Sequence, residues 1–240
     1  MRILADCRPI LLGFALLACS FGTSLAGDLK LSTIRVDLSD KQPSASLTIT
    51  NAGAEKTLIQ MRLWAWSQKD DADALTPTND LIANPPIAEL APNGKQVVRI
   101  GYMGKHQMTA EQAYRLYVEE VPIIDKSGDA GIHTYLKIIM PVFIAATEKA
   151  TAPALTAMWS QSAGGQPTLL VQNRRSEHML ITKYSFAGVN SGKNEFGGLH
   201  YVLAGAQIAL PVDGVVGTPK SVSLTTTDGV LDLPLETLKQ

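Results

Sequence analysis

Beyond Gly27 the chain is a succession of short apolar runs separated by turn residues, and few stretches carry helical spacing. The stretch that dominates the pattern is 133–146, HTYLKIIMPVFIAA, which reads as one long strand rich in β-branched and aromatic residues. Lys137 is the one formal charge between Asp129 and Glu148, and apolar side chains fall on both parities, so both faces of this strand want cover. Pro141 donates no backbone hydrogen bond, which points to an edge strand or a bulge. An apolar edge is an aggregation hazard unless something pairs with it. The alternatives are therefore a core strand mated within its own chain and a strand completed by another molecule.

Further strands are expected at 29–38, 44–50, 57–67, 87–90, 95–102 and 113–122. The polar stretch 69–80 reads as a loop, and 109–113 as a single helical turn. Together with 133–146 this gives seven strands in ~120 residues, the spacing of an immunoglobulin-like sandwich. A small-residue linker, 147–153, precedes a second set at 154–161, 168–173, 179–187, 201–211, 221–227 and 230–235. The expectation is all-β: one immunoglobulin-like domain over 27–146 and a smaller β-sandwich over 154–240, with no obvious sequence repeat between them.

Composition narrows the setting. Lys plus Arg is 21 and Asp plus Glu is 22, so no global charge points to nucleic acid or lipid. Residues 1–26 read as a secretory signal: Arg2 and Arg8, an apolar run over 10–21, and Ser24-Leu25-Ala26 as a cleavage pattern. Cys7 and Cys19 both lie inside it, so the exported chain would carry no cysteine and would rely on packing, as suits a bacterial periplasm.

Enzyme signatures are absent from the sequence: there is no Gly-x-Ser-x-Gly elbow, metalloprotease His pair or dinucleotide fingerprint. His106, His133, His178 and His200 lack metal-ligand spacing, and no cofactor or small-molecule substrate is implied. Glu119 and Glu120 are neighbours on a strand and face opposite sides, a poor acid/base pair. Trp64 and Trp66 share a strand face, the pattern either of packing or of a sugar-stacking platform.

Several motifs in order carry a family resemblance. Asn84-Pro85-Pro86-Ile87 followed by Leu90-Ala91-Pro92-Asn93-Gly94-Lys95-Gln96-Val97-Val98-Arg99-Ile100, and then Tyr114-Arg115-Leu116-Tyr117-Val118-Glu119-Glu120-Val121-Pro122, resemble the PapD-like periplasmic chaperones of chaperone–usher pili. Leu75-Thr76-Pro77-Thr78-Asn79-Asp80 and Pro141-Val142-Phe143-Ile144 are similar to the archaic, or alternate, branch. The resemblance implies two immunoglobulin-like domains set as an L. It implies a non-enzymatic periplasmic role in which a donor strand completes incomplete pilin subunits before an outer-membrane usher takes them.

It also implies site residues. Arg35 and Lys137 match the two cations that anchor a subunit's C-terminal carboxylate. Ile132, Leu136, Ile138 and Met140, one parity of the donor strand, are expected to fill the subunit groove. Glu120 matches an inter-domain salt-bridging glutamate, although Met140 and Pro141 stand where the family's partner arginine would be. Two free copies could also pair through the donor strand. The competing expectation is a two-domain structural or adhesive surface protein, with Trp64 and Trp66 on a glycan.

Overall fold

The computed structural model describes residues 29–104, 108–122, 134–147, 155–161, 167–189 and 191–237. The expected signal segment, both cysteines, His106, Ile132, His133 and all but the first residue of the expected linker lie outside them. The first half contains β1 (Leu29–Leu31), β2 (Val36–Leu38), β3 (Ser44–Asn51), β4 (Thr57–Lys69), β5 (Ala72–Pro77), β6 (Leu81–Asn84), β7 (Ile87–Leu90), β8 (Lys95–Tyr102), β9 (Gln112–Val121) and β10 (Lys137–Ile144). The second contains β11 (Thr156–Gln161), β12 (Pro167–Gln172), β13 (Met179–Ala187), β14 (Ser191–Gly192), β15 (Glu195–Val202), β16 (Gln207–Pro211), β17 (Val215–Val216), β18 (Ser221–Thr226) and β19 (Gly229–Thr237).

The protein is all-β, with two immunoglobulin-like domains. In the first, the sheet β1-β3-β8-β6 faces the sheet β2-β10-β9-β4-β5, with β7 also paired to β4. Alternate residues of both sheets, such as Leu47, Ile49, Ile59, Val98, Ile100, Leu116 and Val118, meet in one core and are fully buried. In the second, the order β15-β13-β18-β19-β11-β12-β16 forms one sheet around a separate core with Trp159, Tyr184 and Leu224 at its centre.

The expected strand over 29–38 is in fact two strands in different sheets. The Thr33 hydroxyl donates to the Arg35 carbonyl (2.8 Å) and accepts the Arg35 N–H (3.3 Å), so a local side-chain turn carries the chain across. The expected loop over 69–80 contains β5, because Asp70 and Asp71 adopt positive φ (51° and 62°) and close a two-residue hairpin with β4. The expected helical turn over 109–113 is not helical, and β9 starts at Gln112. The expected strand over 201–211 is split by a turn at Gly205 (φ 70°) into the end of β15 and all of β16.

A structural repeat invisible in the sequence ties the two halves together. Asn51 donates through Nδ2 to the carbonyls of Glu55, Leu90 and Ala91, and its Oδ1 accepts from Gly53 N. Asn173 does the same with the carbonyls of Glu177, Val202 and Leu203 and with Arg175 N. Each domain thus hangs one corner on a buried asparagine whose amide has no unused hydrogen.

Candidate functional site

The site begins with an unequal pairing of β10. Its full length, Lys137 to Ile144, pairs antiparallel with β9, whereas parallel β2 covers only Val142 to Ile144 on the other side. Among the described residues, 137–141 therefore have a neighbour on one side alone. Glu120 N donates to the Leu136 carbonyl (2.9 Å), and Ala145 N donates to the Leu38 carbonyl on the β2 side (2.9 Å). Antiparallel rungs alternate, so even-numbered residues of β10 bond β9 and odd-numbered ones point their backbone groups outward. The free edge thus carries the N–H groups of Lys137 and Ile139. Pro141 falls at an outward position and costs the ladder nothing, as its edge placement predicted.

Side chains sort by the same parity. Met140, Val142 and Ile144 enter the core of their own domain, and Leu136 and Ile138 pack on it half-buried. Met140, expected to fill a partner's groove, is 2% exposed inside its own sandwich and is not presented. The odd residues face outward: Ile139 is half exposed, while Phe143 is 1% exposed because the second domain covers it. That explains the weak alternation of this stretch.

Phe143 stacks on His178 of the second domain (ring centroids 3.7 Å apart, planes 7° apart) and joins Trp66 and Leu203 in a small inter-domain cluster. Gln68 closes the seam, donating to the Tyr201 carbonyl (2.8 Å) and accepting from Leu203 N (2.9 Å). Glu111 Oε1 accepts from His178 N (3.0 Å) and lies 2.7 Å from its Nδ1. Glu120, expected to bridge the domains, instead contacts Thr57 and Leu136 of its own domain. The carboxylate that meets His178 across the seam is Glu111, and Asp71 also crosses it, accepting from Gln207 Nε2 (2.8 Å); no sequence signal marked either.

Arg35 precedes the first β2 rung and so lies beside Pro141, while Arg115 pairs with Pro141 across β9. The three share one row of the outer face, which puts the two arginine Cα atoms about 10 Å apart at ordinary strand spacing. Arg115 lines a cleft of about 240 Å³ between the domains, together with Trp66, Asp73, His200 and Tyr201. Its guanidinium lies 3.5 Å from the Trp66 ring centroid and 3.7 Å from Asp73 Oδ2. Burial pushes this guanidinium below its ordinary pKa, opposed by Asp73 and the tyrosines beside it. A cation held in a part-dry cleft with only a long contact to its carboxylate is well placed to grip a second anion.

Arg35 bonds Asp37 (2.9 Å) at the surface. Lys137 lies four residues from Pro141, about 13 Å along the strand, and its ammonium bonds Glu119 (3.1 Å) and lies 4.4 Å from the Tyr117 ring centroid. The structure does not bring Arg35 and Lys137 together. Strand register instead sets Arg35 and Arg115 in one row on either side of Pro141, which sequence reading missed because Arg115 looked like an ordinary strand residue. Trp64 and Trp66 form no shared platform: Trp66 is buried in the seam, and Trp64 sits edge-on to Tyr117.

Glu119 also receives Arg62 (2.6 Å). Burial alone would raise its carboxyl, but hydrogen bonds and charge from Lys137 and Arg62 more than offset this and hold it below the ordinary carboxylate range. A depressed carboxylate contributes stability that is present above its unfolded pKa and is lost as pH falls through its folded pKa. Glu119→Gln is therefore expected to be less stable than the parent at neutral pH, with the gap closing below the carboxylate range. Urea unfolding at both pH values reads this, and a pH-independent gap would refute it.

Residues 28–148 match the family model described as pili and flagellar-assembly chaperone, PapD N-terminal domain. The chain is similar to a chain of the CsuC–CsuE chaperone–tip adhesion subunit pre-assembly complex from archaic chaperone-usher Csu pili of Acinetobacter baumannii, at 16% identity and TM-score 0.71, covering 88% of this chain and 99% of that one. It is similar to the Salmonella enterica SafA pilin–SafB chaperone complex (18%, TM-score 0.61, 88% and 97% covered). It is also similar to the YadV chaperone (17%, TM-score 0.61, 85% and 97% covered). No curated protein sequence matches. At such identities the likeness of structures speaks for the fold.

Proposed function

This chain belongs to the pili and flagellar-assembly chaperone family, and we propose that it holds a strand-deficient pilus subunit in the periplasm by lending it the open edge of β10, then yields it to an outer-membrane usher. The observation that carries this is the run 137–141, which among the described residues pairs with β9 and has no neighbour on its other side. Main-chain bonds from such an edge give affinity, and side chains entering the partner's groove give fit. An edge kept for a client is also an edge kept from aggregation while the client is bound.

The upstream residues Ile132, Leu136 and Ile138 are the groove-filling set, with Met140 left in its own core. A subunit strand running parallel to β10 meets β2 end-on beside Pro141. Its terminal carboxylate then lies between Arg35 and Arg115, whereas an antiparallel strand would place an ammonium there. Lys137 stands too far upstream to share that carboxylate and acts on the strand itself. Family members are periplasmic, and residues 1–26 supply the export signal this role needs. No catalytic step or cofactor belongs to it, and the buried Trp66 removes the basis for a two-tryptophan glycan platform. Two free copies have the same edge to offer each other.

Ile139→Pro tests the edge. Its N–H points away from β9, and Pro141 already occupies the equivalent position two residues on, so the free fold should change little. Co-expressed with a pilin subunit from the same gene cluster, this variant is expected to bind about tenfold more weakly for the lost edge bond and altered pairing. Undiminished binding by a folded variant would contradict edge lending.

A further inference from the structure

Two consecutive carboxylates, unsuited to joint chemistry, meet β10 where it joins its sheet. On the outer face, Glu119 Oε1 takes the Lys137 ammonium (3.1 Å), and its Oε2 takes Arg62 Nε (2.8 Å) and Nη2 (2.6 Å). On the opposite side, Glu120 Oε2 accepts the Leu136 N–H (2.8 Å) and its Oε1 accepts the Thr57 hydroxyl (3.2 Å). Glu120 N also donates to the Leu136 carbonyl (2.9 Å). One residue therefore holds both main-chain groups of Leu136, with a carboxylate taking the N–H of the last rung. Arg62 and Thr57 lie on β4, so both grips run across β9 into the centre of the sheet.

We propose that Glu119 and Glu120 form a two-sided clasp that fixes where the donor strand begins, and with it the register of the edge presented to a subunit. The proposal rests on the edge-lending reading above. The ends of edge strands open at low free-energy cost. A strand that frays at Leu136 must be ordered again at each binding event, whereas a clasped one is pre-organised and gives up its partner more slowly. The clasp closes from the two faces of the sheet and from the β9 side, so a subunit strand on the open side leaves it intact. Glu119 and Glu120 are thus positioning residues that act through Lys137 and Leu136.

Glu120→Ala and Glu120→Gln separate this role from general stability. In the full free chain, Glu120→Ala is expected to speed amide exchange at Leu136 and Ile138 about tenfold, and exchange in β3 and β8 should not change. Dissociation of a bound pilin subunit should speed up by a similar factor, and Glu120→Gln, which keeps an acceptor, should restore most of both. Unchanged exchange at Leu136 and Ile138 would overturn the clasp. Faster exchange with unchanged subunit dissociation would overturn its role in presentation. Failure of wild-type chain to bind the subunit would instead overturn the lending on which the proposal rests.

Discussion

Replacing Arg115 by alanine is expected to weaken subunit binding about thirtyfold or more. Truncating one partner of a desolvated charge pair costs on the order of 2–5 kcal/mol, much of it from the carboxylate left unpaired. The free chain should lose less, since the exchanged contacts are a ring stack on Trp66 and a 3.7 Å approach to Asp73. The decisive control is a subunit extended by one alanine, which moves its carboxylate off the row. Extension should weaken binding to the parent chain but add little to Arg115→Ala. Strictly additive losses would show that Arg115 and the carboxylate do not meet. Arg35→Ala should follow the same pattern with a smaller loss, because Arg35 is more exposed than Arg115.

Asn173→Ala should cost the second domain about 3 kcal/mol, because three carbonyls and one N–H lose their partner in a site that is fully buried. For a domain of this size that is a fall in Tm on the order of 10 °C or more. Asn51→Ala should do the same to the first domain through its matching set of bonds. Asn173→Asp should be no better, since a carboxylate cannot donate to the Val202 and Leu203 carbonyls and a charge would be buried there. Calorimetry should show each alanine variant lowering chiefly its own domain. An unchanged transition in either would mean that the corner bonds carry no net weight.

Much of this was legible in the chain. Short apolar runs bounded by turn residues placed β3, β4, β8, β9, β11, β13 and β18, because each buries one face and hydropathy reports burial. The mixed parity of 133–146 signalled cover on both faces, and the cover proved to be the first core under Met140, Val142 and Ile144 and the second domain over Phe143. What escaped depended on backbone turns or on distant partners. The crossing at Thr33 is made by one hydroxyl, which hydropathy does not register. β5 is polar and exposed, and its turn is Asp70-Asp71 instead of the usual Asn-Gly.

The site residues divide the same way. Arg35 was singled out by the family resemblance. Lys137 was singled out in the same way, but strand register puts it four residues, about 13 Å, too far upstream to share a row with Arg35. Arg115 and Glu111 gain their meaning from the second domain, more than sixty residues on, and no local pattern could assign it. Glu120 sits at the position the motif indicated, yet its side chain turns to Leu136, and Met140 and Pro141 stand where the family's partner arginine would draw it across the seam.

The measurement closest to the central claim is residue-resolved amide exchange of the chain alone and with a bound pilin subunit. Lys137 and Ile139, whose N–H groups point to the open side of β10, should exchange rapidly in the free chain and become strongly protected in the complex. Ile138, already bonded to β9, should change far less. A stable complex in which Lys137 and Ile139 stay as unprotected as before would contradict the account.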